Sequence, residues 1–249
     1  MNRPFMGFLV SFAVLYLAAG LGSMLRTRFL PFKEEERDDF TVVLGATLTL
    51  LGLLIGFTFS MAVSRYDQRK IYEEAEANAI GTEFVRADLL PATEGAKVRD
   101  LLKRYTEQRI LFYTTRDSQQ LAQIDRNTAN LQNELWTTVR GPAMAQPTPV
   151  IALAVAGMND VLNSQGYTQS AWWNRIPTAA WTLMALIAIG SNVLIGYGSR
   201  WTDWRLLLIV PLAVSLSFFL IADIDSPRRG TIRVHPRNLI ALSRSLSAQ

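Results

Sequence analysis

Four apolar stretches divide the chain, and the polar positions between them keep a helical period. Phe5 to Leu25, Phe40 to Val63, Pro177 to Tyr197 and Leu206 to Ala222 are long enough, or nearly so, to cross a bilayer. The hydrocarbon core takes about 20 apolar residues as a helix, and a water-facing surface has no place for such runs. The second stretch runs without a break into charged, helix-forming sequence from Arg65 to Leu90, which predicts one long helix ended by Pro91. From Glu94 to Thr114 the positions Val98, Leu101, Leu102, Tyr105, Ile110 and Phe112 recur at helical spacing. Asp117 suits the cap of the next helix, which shows Leu121, Ile124, Leu131, Leu135 and Trp136 and is predicted to stop at Gly141-Pro142. Gln146 to Pro149 reads as a linker with a rigid turn. Val150 to Leu162 is apolar but cut short by Asn159 and Asp160, a length that suits a buried core helix better than a span. Strand alternation, repeats and low-complexity segments are absent from the sequence.

The predicted fold class is therefore all-α. It is an integral membrane protein of four transmembrane helices, with a helical cytoplasmic domain between the second and third. The expected divisions are 1–64 (helices one and two), 65–172 (cytoplasmic helical domain), 173–225 (helices three and four) and 226–249 (a basic tail). Ala18 and Gly20 offer small residues at a signal-peptide cleavage site. Against that, Arg3 is the only basic residue before the first stretch and the apolar run is long, so a retained helix is expected.

Charge orients these elements. Positive residues mark the cytoplasmic side. The first loop carries Arg26, Arg28, Lys33 and Arg37 with Glu34, Glu35, Glu36, Asp38 and Asp39; the loop from Gly198 to Arg205 has only Arg200 and Arg205. The middle region and the tail hold most of the Lys and Arg, which places both termini and the middle domain on the cytoplasmic side. Trp172, Trp173 and Arg175, and later Trp201 and Trp204, stand where interfacial anchors belong. After Ser226 the tail holds Arg228, Arg229, Arg233, Arg237 and Arg244 and no acid, within a net charge of +4. Such a tail can rest on anionic headgroups at roughly 1 kcal/mol per basic residue; fixing topology or pairing with the acids of the middle domain serves it equally well. Asp223 and Asp225, at the edge of the fourth stretch, are read as structural.

Candidate chemistry is sparse. There is no cysteine and one histidine, His235, in the tail. The run Glu73, Glu74, Glu76 lies at helical spacing from Arg69 and Lys70 and reads as a solvated helical face. No phosphate-binding loop, nucleophile elbow or metal-ligand cluster is present, so no enzyme activity, cofactor or metal is expected, and nucleic acid is not an expected partner. The informative strips are on the second apolar helix. Gly52, Gly56 and Ser60 are four apart and small, which permits close helix packing in lipid, either within one subunit or between subunits. Thr41, Gly45, Thr49, Leu53 and Phe57 form a second strip. Around a symmetry axis it would stack rings, and apolar constrictions gate ions by dewetting; as a single helix it would simply face lipid or the bundle.

The stretch from Leu54 to Arg65 resembles the pore-lining helix of bestrophins, with Gly56-Phe57 followed by Ser64-Arg65. Glu76 to Thr82, Arg86 to Pro91 and Asp225 to Pro236 resemble a bacterial bestrophin-like membrane family of unassigned function, and this likeness covers most of the chain. Bestrophins are pentameric anion channels, with a bacterial subset that passes cations, and their second helix lines the pore through three apolar rings. The resemblance implies a homo-oligomeric channel in the lipid bilayer, a pentamer conducting small ions such as chloride, with a neck at Thr49, Leu53 and Phe57. Thr49 departs from the apolar pattern, and Tyr66-Asp67 departs from the paired aromatics after the arginine. The acidic calcium-binding cluster of animal bestrophins has no counterpart in this basic tail, so calcium gating is not expected. The competing expectation is a non-conducting scaffold or sensor that recruits a cytoplasmic partner.

Overall fold

The computed structural model describes residues 3–28, 37–199 and 206–248. The expected anchors Trp201 and Trp204, and the loop charges Lys33, Glu34, Glu35, Glu36, Arg200 and Arg205, lie outside the described residues. The helices are α1 (Arg3–Arg28), α2 (Arg37–Arg86), a 3-10 turn (Ala87–Leu89), α3 (Ala92–Thr114), α4 (Ser118–Ala145), α5 (Pro149–Trp173), α6 (Thr178–Gly198), α7 (Leu206–Asp225) and α8 (Arg237–Ser247). Among the described residues, four helical segments are long and apolar enough to cross a membrane. The chain divides into two compact units, Met1–Ser64 with Arg175–Ile232, and Arg65–Asn174 with Arg233–Gln249.

In the first unit Leu15 of α1, Leu51 of α2, Ala188 of α6 and Val214 of α7 form a small apolar core. Its closest packing is backbone to backbone between α1 and α6. A Cβ on Gly22 would stand 1.9 Å from the Val193 carbonyl oxygen, and one on Gly196 would stand 1.8 Å from that of Ala19. In lipid, close approach of this kind is what holds helices together. Gly196→Ala is therefore expected to wedge α1 from α6 and cost about 1–3 kcal/mol, read as a lowered melting temperature of the detergent-solubilised protein. An unchanged melting temperature would mean that the two helices do not cross here. The end of α6 is closed by Arg26, whose Nη1 donates to the carbonyls of Gly198 (3.1 Å) and Ser199 (2.7 Å), a cation where the helix presents unpaired carbonyls. Asp223 accepts from the Thr231 amide and hydroxyl and from the Ile232 amide, and Asp225 accepts from the Ile176 amide. These acids tie down the backbone of the following turn and of the entry to α6.

The second unit is a helical domain. Its core brings together Ile80 and Phe84 of α2, Val98, Leu101, Leu102, Tyr105 and Phe112 of α3, Leu131 and Leu135 of α4, Met158 and Val161 of α5, and Leu239 and Leu246 of α8. Local signals set most of its boundaries. Leu90 is extended before Pro91, as the proline ring requires. Asp117 accepts from the amides of Gln119 and Gln120 at the start of α4, and Thr148 caps α5 with Pro149 as the first helical residue.

Three expectations change. Helix α4 does not stop at Gly141-Pro142 but runs on to Ala145; near a helix end the proline forfeits few backbone bonds, and its ring is buried. Helix α5 passes through Asn159 and Asp160 to Trp173, because those two face outward while Ala154, Met158, Val161, Ser164 and Thr168 keep the core period. Trp172 is not an interfacial anchor. It is 4 % exposed, packed on Phe112 and Tyr113 with ring centroids 4.9 and 5.4 Å away, while Trp173 is exposed.

Candidate functional site

Within the first unit, α2 is buried along one side only. Leu51, Thr58 and Ala62 are enclosed and Leu44, Leu48 and Ile55 half-enclosed, a spacing of three and four that marks one helical face. Both strips singled out from the sequence lie on the other side. Thr49, Leu53 and Phe57 are exposed, Phe57 to 67 %. Gly52, Gly56 and Ser60 are exposed too, and nothing lies within 4 Å of where a Cβ on Gly45, Gly52 or Gly56 would stand. The small residues packed against a helix inside this unit are Gly22, which faces Val193, and Gly196, which faces Ala19, not Gly52 and Gly56. Four threonine hydroxyls of α2 are satisfied within the helix: Thr41, Thr47, Thr49 and Thr58 each donate to the carbonyl four residues earlier, at 2.7–2.9 Å. Each hydroxyl thus keeps a hydrogen-bond partner in a low-dielectric setting.

The basic tail residues divide between the units. Arg228 and Arg229 lie in the turn after α7, Arg229 exposed; Arg233 is half-buried and Arg237 opens α8 with its side chain exposed.

In the second unit the remainder of α2 carries a buried polar stripe at Arg69, Glu73, Glu76 and Glu83, each no more than 2 % exposed. The reading of Glu73 and Glu76 as a solvated face is overturned; only Glu74 of that run is exposed. Arg69, Glu73 and Glu76 each take a different partner. Arg69 Nε donates to the Ala171 carbonyl in α5 at 3.2 Å. Glu73 accepts from the Leu239 amide (3.0 Å) and from Asn238 Nδ2 (2.7 Å), capping α8. Glu76 pairs with Arg109 of α3 and accepts from Thr168 of α5 at 3.1 Å. Burial alone would pull the Arg109 guanidinium down, but the Glu76 carboxylate holds it above the ordinary arginine value. Arg109 also lies 4.4 Å from the centre of the Phe112 ring. Burial pushes the Tyr105 and Tyr113 hydroxyls up, keeping both neutral. Glu83, two turns beyond Glu76, faces Gly157 of α5.

The sequence carries a signal for this stripe: the positions 69, 73, 76, 80, 83 and 87 follow the three-and-four spacing of a core face, with Ile80 and Ala87 apolar among the charges. The Glu73 cap has a direct consequence. Glu73→Ala leaves the Leu239 amide and the Asn238 side-chain amide without their acceptor, and the expected cost is about 1–2 kcal/mol. Limited proteolysis should then cut the tail from 237 onward while leaving α3 intact; a tail as resistant as wild type would show that α8 is held by its apolar face alone.

Comparison with known proteins adds the family. The model of the Bestrophin-like domain matches residues 13–239. No curated protein matches the sequence. Two crystal structures of a bacterial Bestrophin homolog from Klebsiella pneumoniae share the fold. A point mutant superposes with a TM-score of 0.69 at 12% identity, over 100% of this chain and 97% of that one. The form phased by Zn-SAD gives 0.67 at 14% identity, over 98% and 97%.

Proposed function

The chain belongs to the Bestrophin-like family, and from that premise we propose that it is a homo-oligomeric ion channel whose pore is lined by α2. The observation that carries this reading is the bare side of α2. A long apolar helix that buries one face and leaves Gly45, Gly52 and Gly56 open, beside Leu53 and Phe57, supports association with other copies. Small residues on Gly52, Gly56 and Ser60 let adjacent copies approach closely, and the neighbouring strip then turns Thr49, Leu53 and Phe57 toward the axis. Leu53 and Phe57 form the apolar neck, with Thr49 a wider polar ring at its end. Five copies follow from the family likeness.

The permeant ion is an anion, chloride under ordinary salts. No acidic residue stands between Phe40 and Val63, and the net charge is +4 with a basic tail. The protein sits in a bacterial inner membrane with both termini and the helical unit in the cytoplasm. There Arg228, Arg229, Arg233 and Arg237 meet anionic headgroups.

The test is the reversal potential of purified protein in a planar bilayer under a KCl gradient. A current reversing near the chloride potential supports the reading. Reversal near the potassium potential keeps the channel and overturns its anion selectivity. Silence from a verified oligomer favours the non-conducting scaffold or sensor.

A further inference from the structure

Glu83 is the one member of the buried stripe whose carboxylate meets no donor among the described residues. Its side chain has no exposed surface, and neither oxygen accepts a hydrogen bond. The carboxylate occupies a notch in α5 where a side chain is missing, since a Cβ on Gly157 would stand 2.1 Å from Glu83 Oε2. Arg86, one turn on, lies across the same glycine, its Nη1 2.7 Å from that point, and donates to the Leu153 carbonyl of α5 at 3.4 Å. The charged groups that reach Glu83 are Arg86, from its own helix, and Asp160, from α5. On the α3 side, Lys103 lies over the Phe84 ring and Arg99 pairs with Asp88. A neutral carboxyl is tolerable in such a notch; an ionised one without donors is not.

We propose that Glu83 is a proton-operated latch between α2 and α5. Neutral, the carboxyl stays seated over Gly157. When its proton passes to bulk water, the carboxylate leaves the notch toward Arg86 and solvent, and α5 loosens from α2. Burial pushes the group up from 4.5 to about 8, with Arg86 pulling it down and Asp160 pushing it further up. The sign follows. Below the ordinary value both folded and unfolded chains carry the proton and the latch costs nothing. From there to about 8 only the unfolded chain ionises, so stability falls as pH rises, and it levels off above the folded value. Helix α2 runs unbroken from Arg37 to Arg86, so on the channel reading, and resting on it, the latch makes proton concentration a gating stimulus.

The deciding experiment is hydrogen exchange of residues 151–161 in the purified full-length oligomer at pH 6 and pH 9, each rate corrected for intrinsic chemistry. With a midpoint of about 8, the ionised fraction rises from about 1 % at pH 6 to about 90 % at pH 9, so the wild type should exchange up to about 90-fold faster at pH 9. Glu83→Gln, a permanent mimic of the neutral carboxyl, should lose that difference. Asp160→Asn should move the midpoint to lower pH, because the charge that resists ionisation is gone. A flat wild-type profile, or an unchanged one in Glu83→Gln or Asp160→Asn, overturns the latch. The same proteins in bilayers separate the two readings. PH-dependent exchange without current at any pH keeps the latch and sinks the channel, whereas current with flat exchange does the reverse.

Discussion

Arg109→Met should be the most damaging single substitution in the helical unit, at a cost of about 3–5 kcal/mol. Arg109 and Glu76 are both 0 % exposed and pair with each other. Removing the guanidinium leaves an anion sealed among Tyr105, Phe112 and Tyr113, a far larger loss than any surface pair could cause. Glu76→Gln should also destabilise, by less, since the amide can still accept from Arg109 and from the Thr168 hydroxyl. The double variant Glu76→Leu with Arg109→Met should recover most of the loss, because no lone charge remains. Thermal unfolding of the solubilised protein, followed by tryptophan fluorescence, checks all three. A single variant as stable as wild type would show that water reaches the pair. A double variant no better than the sum of the singles would show that the two residues act separately.

The second large effect concerns conduction. Phe57→Ala should raise unitary conductance several-fold and loosen selectivity, on the order expected when a dewetted apolar ring is opened. Phe57 is the bulkiest of the proposed neck residues, is 67 % exposed on a single chain and is not part of the apolar core of the first unit. Its removal should therefore leave the melting temperature nearly unchanged, which separates a pore effect from misfolding. Wild-type conductance in Phe57→Ala would place the ring outside the ion path. Absence of current in both proteins, with the oligomer intact, would remove the main support of the channel reading.

Much of the architecture is legible in the sequence because it follows from nearest-neighbour chemistry. The apolar runs read as spans since lipid demands length and low polarity. Pro91, Asp117 and Thr148-Pro149 mark helix boundaries through bonds made within four residues. The same local reasoning misjudges Gly141-Pro142 and Asn159-Asp160, where a buried proline ring in one case and an outward-facing pair in the other let the helix continue. For the candidate pore face, the sequence shows two strips of suitable residues, but Gly22 and Gly196 are just as small as Gly52 and Gly56. Only packing distinguishes the pair that meets a helix in the same chain from the pair left bare.

By itself, then, the sequence determines that this is a helical membrane protein, where its spans lie, and which residues are available for an apolar neck. Tertiary structure alone decides what the charges of α2 do. Glu73 and Glu76 look like a solvated face because salt pairs three or four residues apart would explain them equally well, whereas their partners lie 166, 33 and 92 residues away at Leu239, Arg109 and Thr168. Local spacing sets which side of a helix a residue is on. Whether that side meets water, lipid or a buried arginine depends on the elements that fold against it.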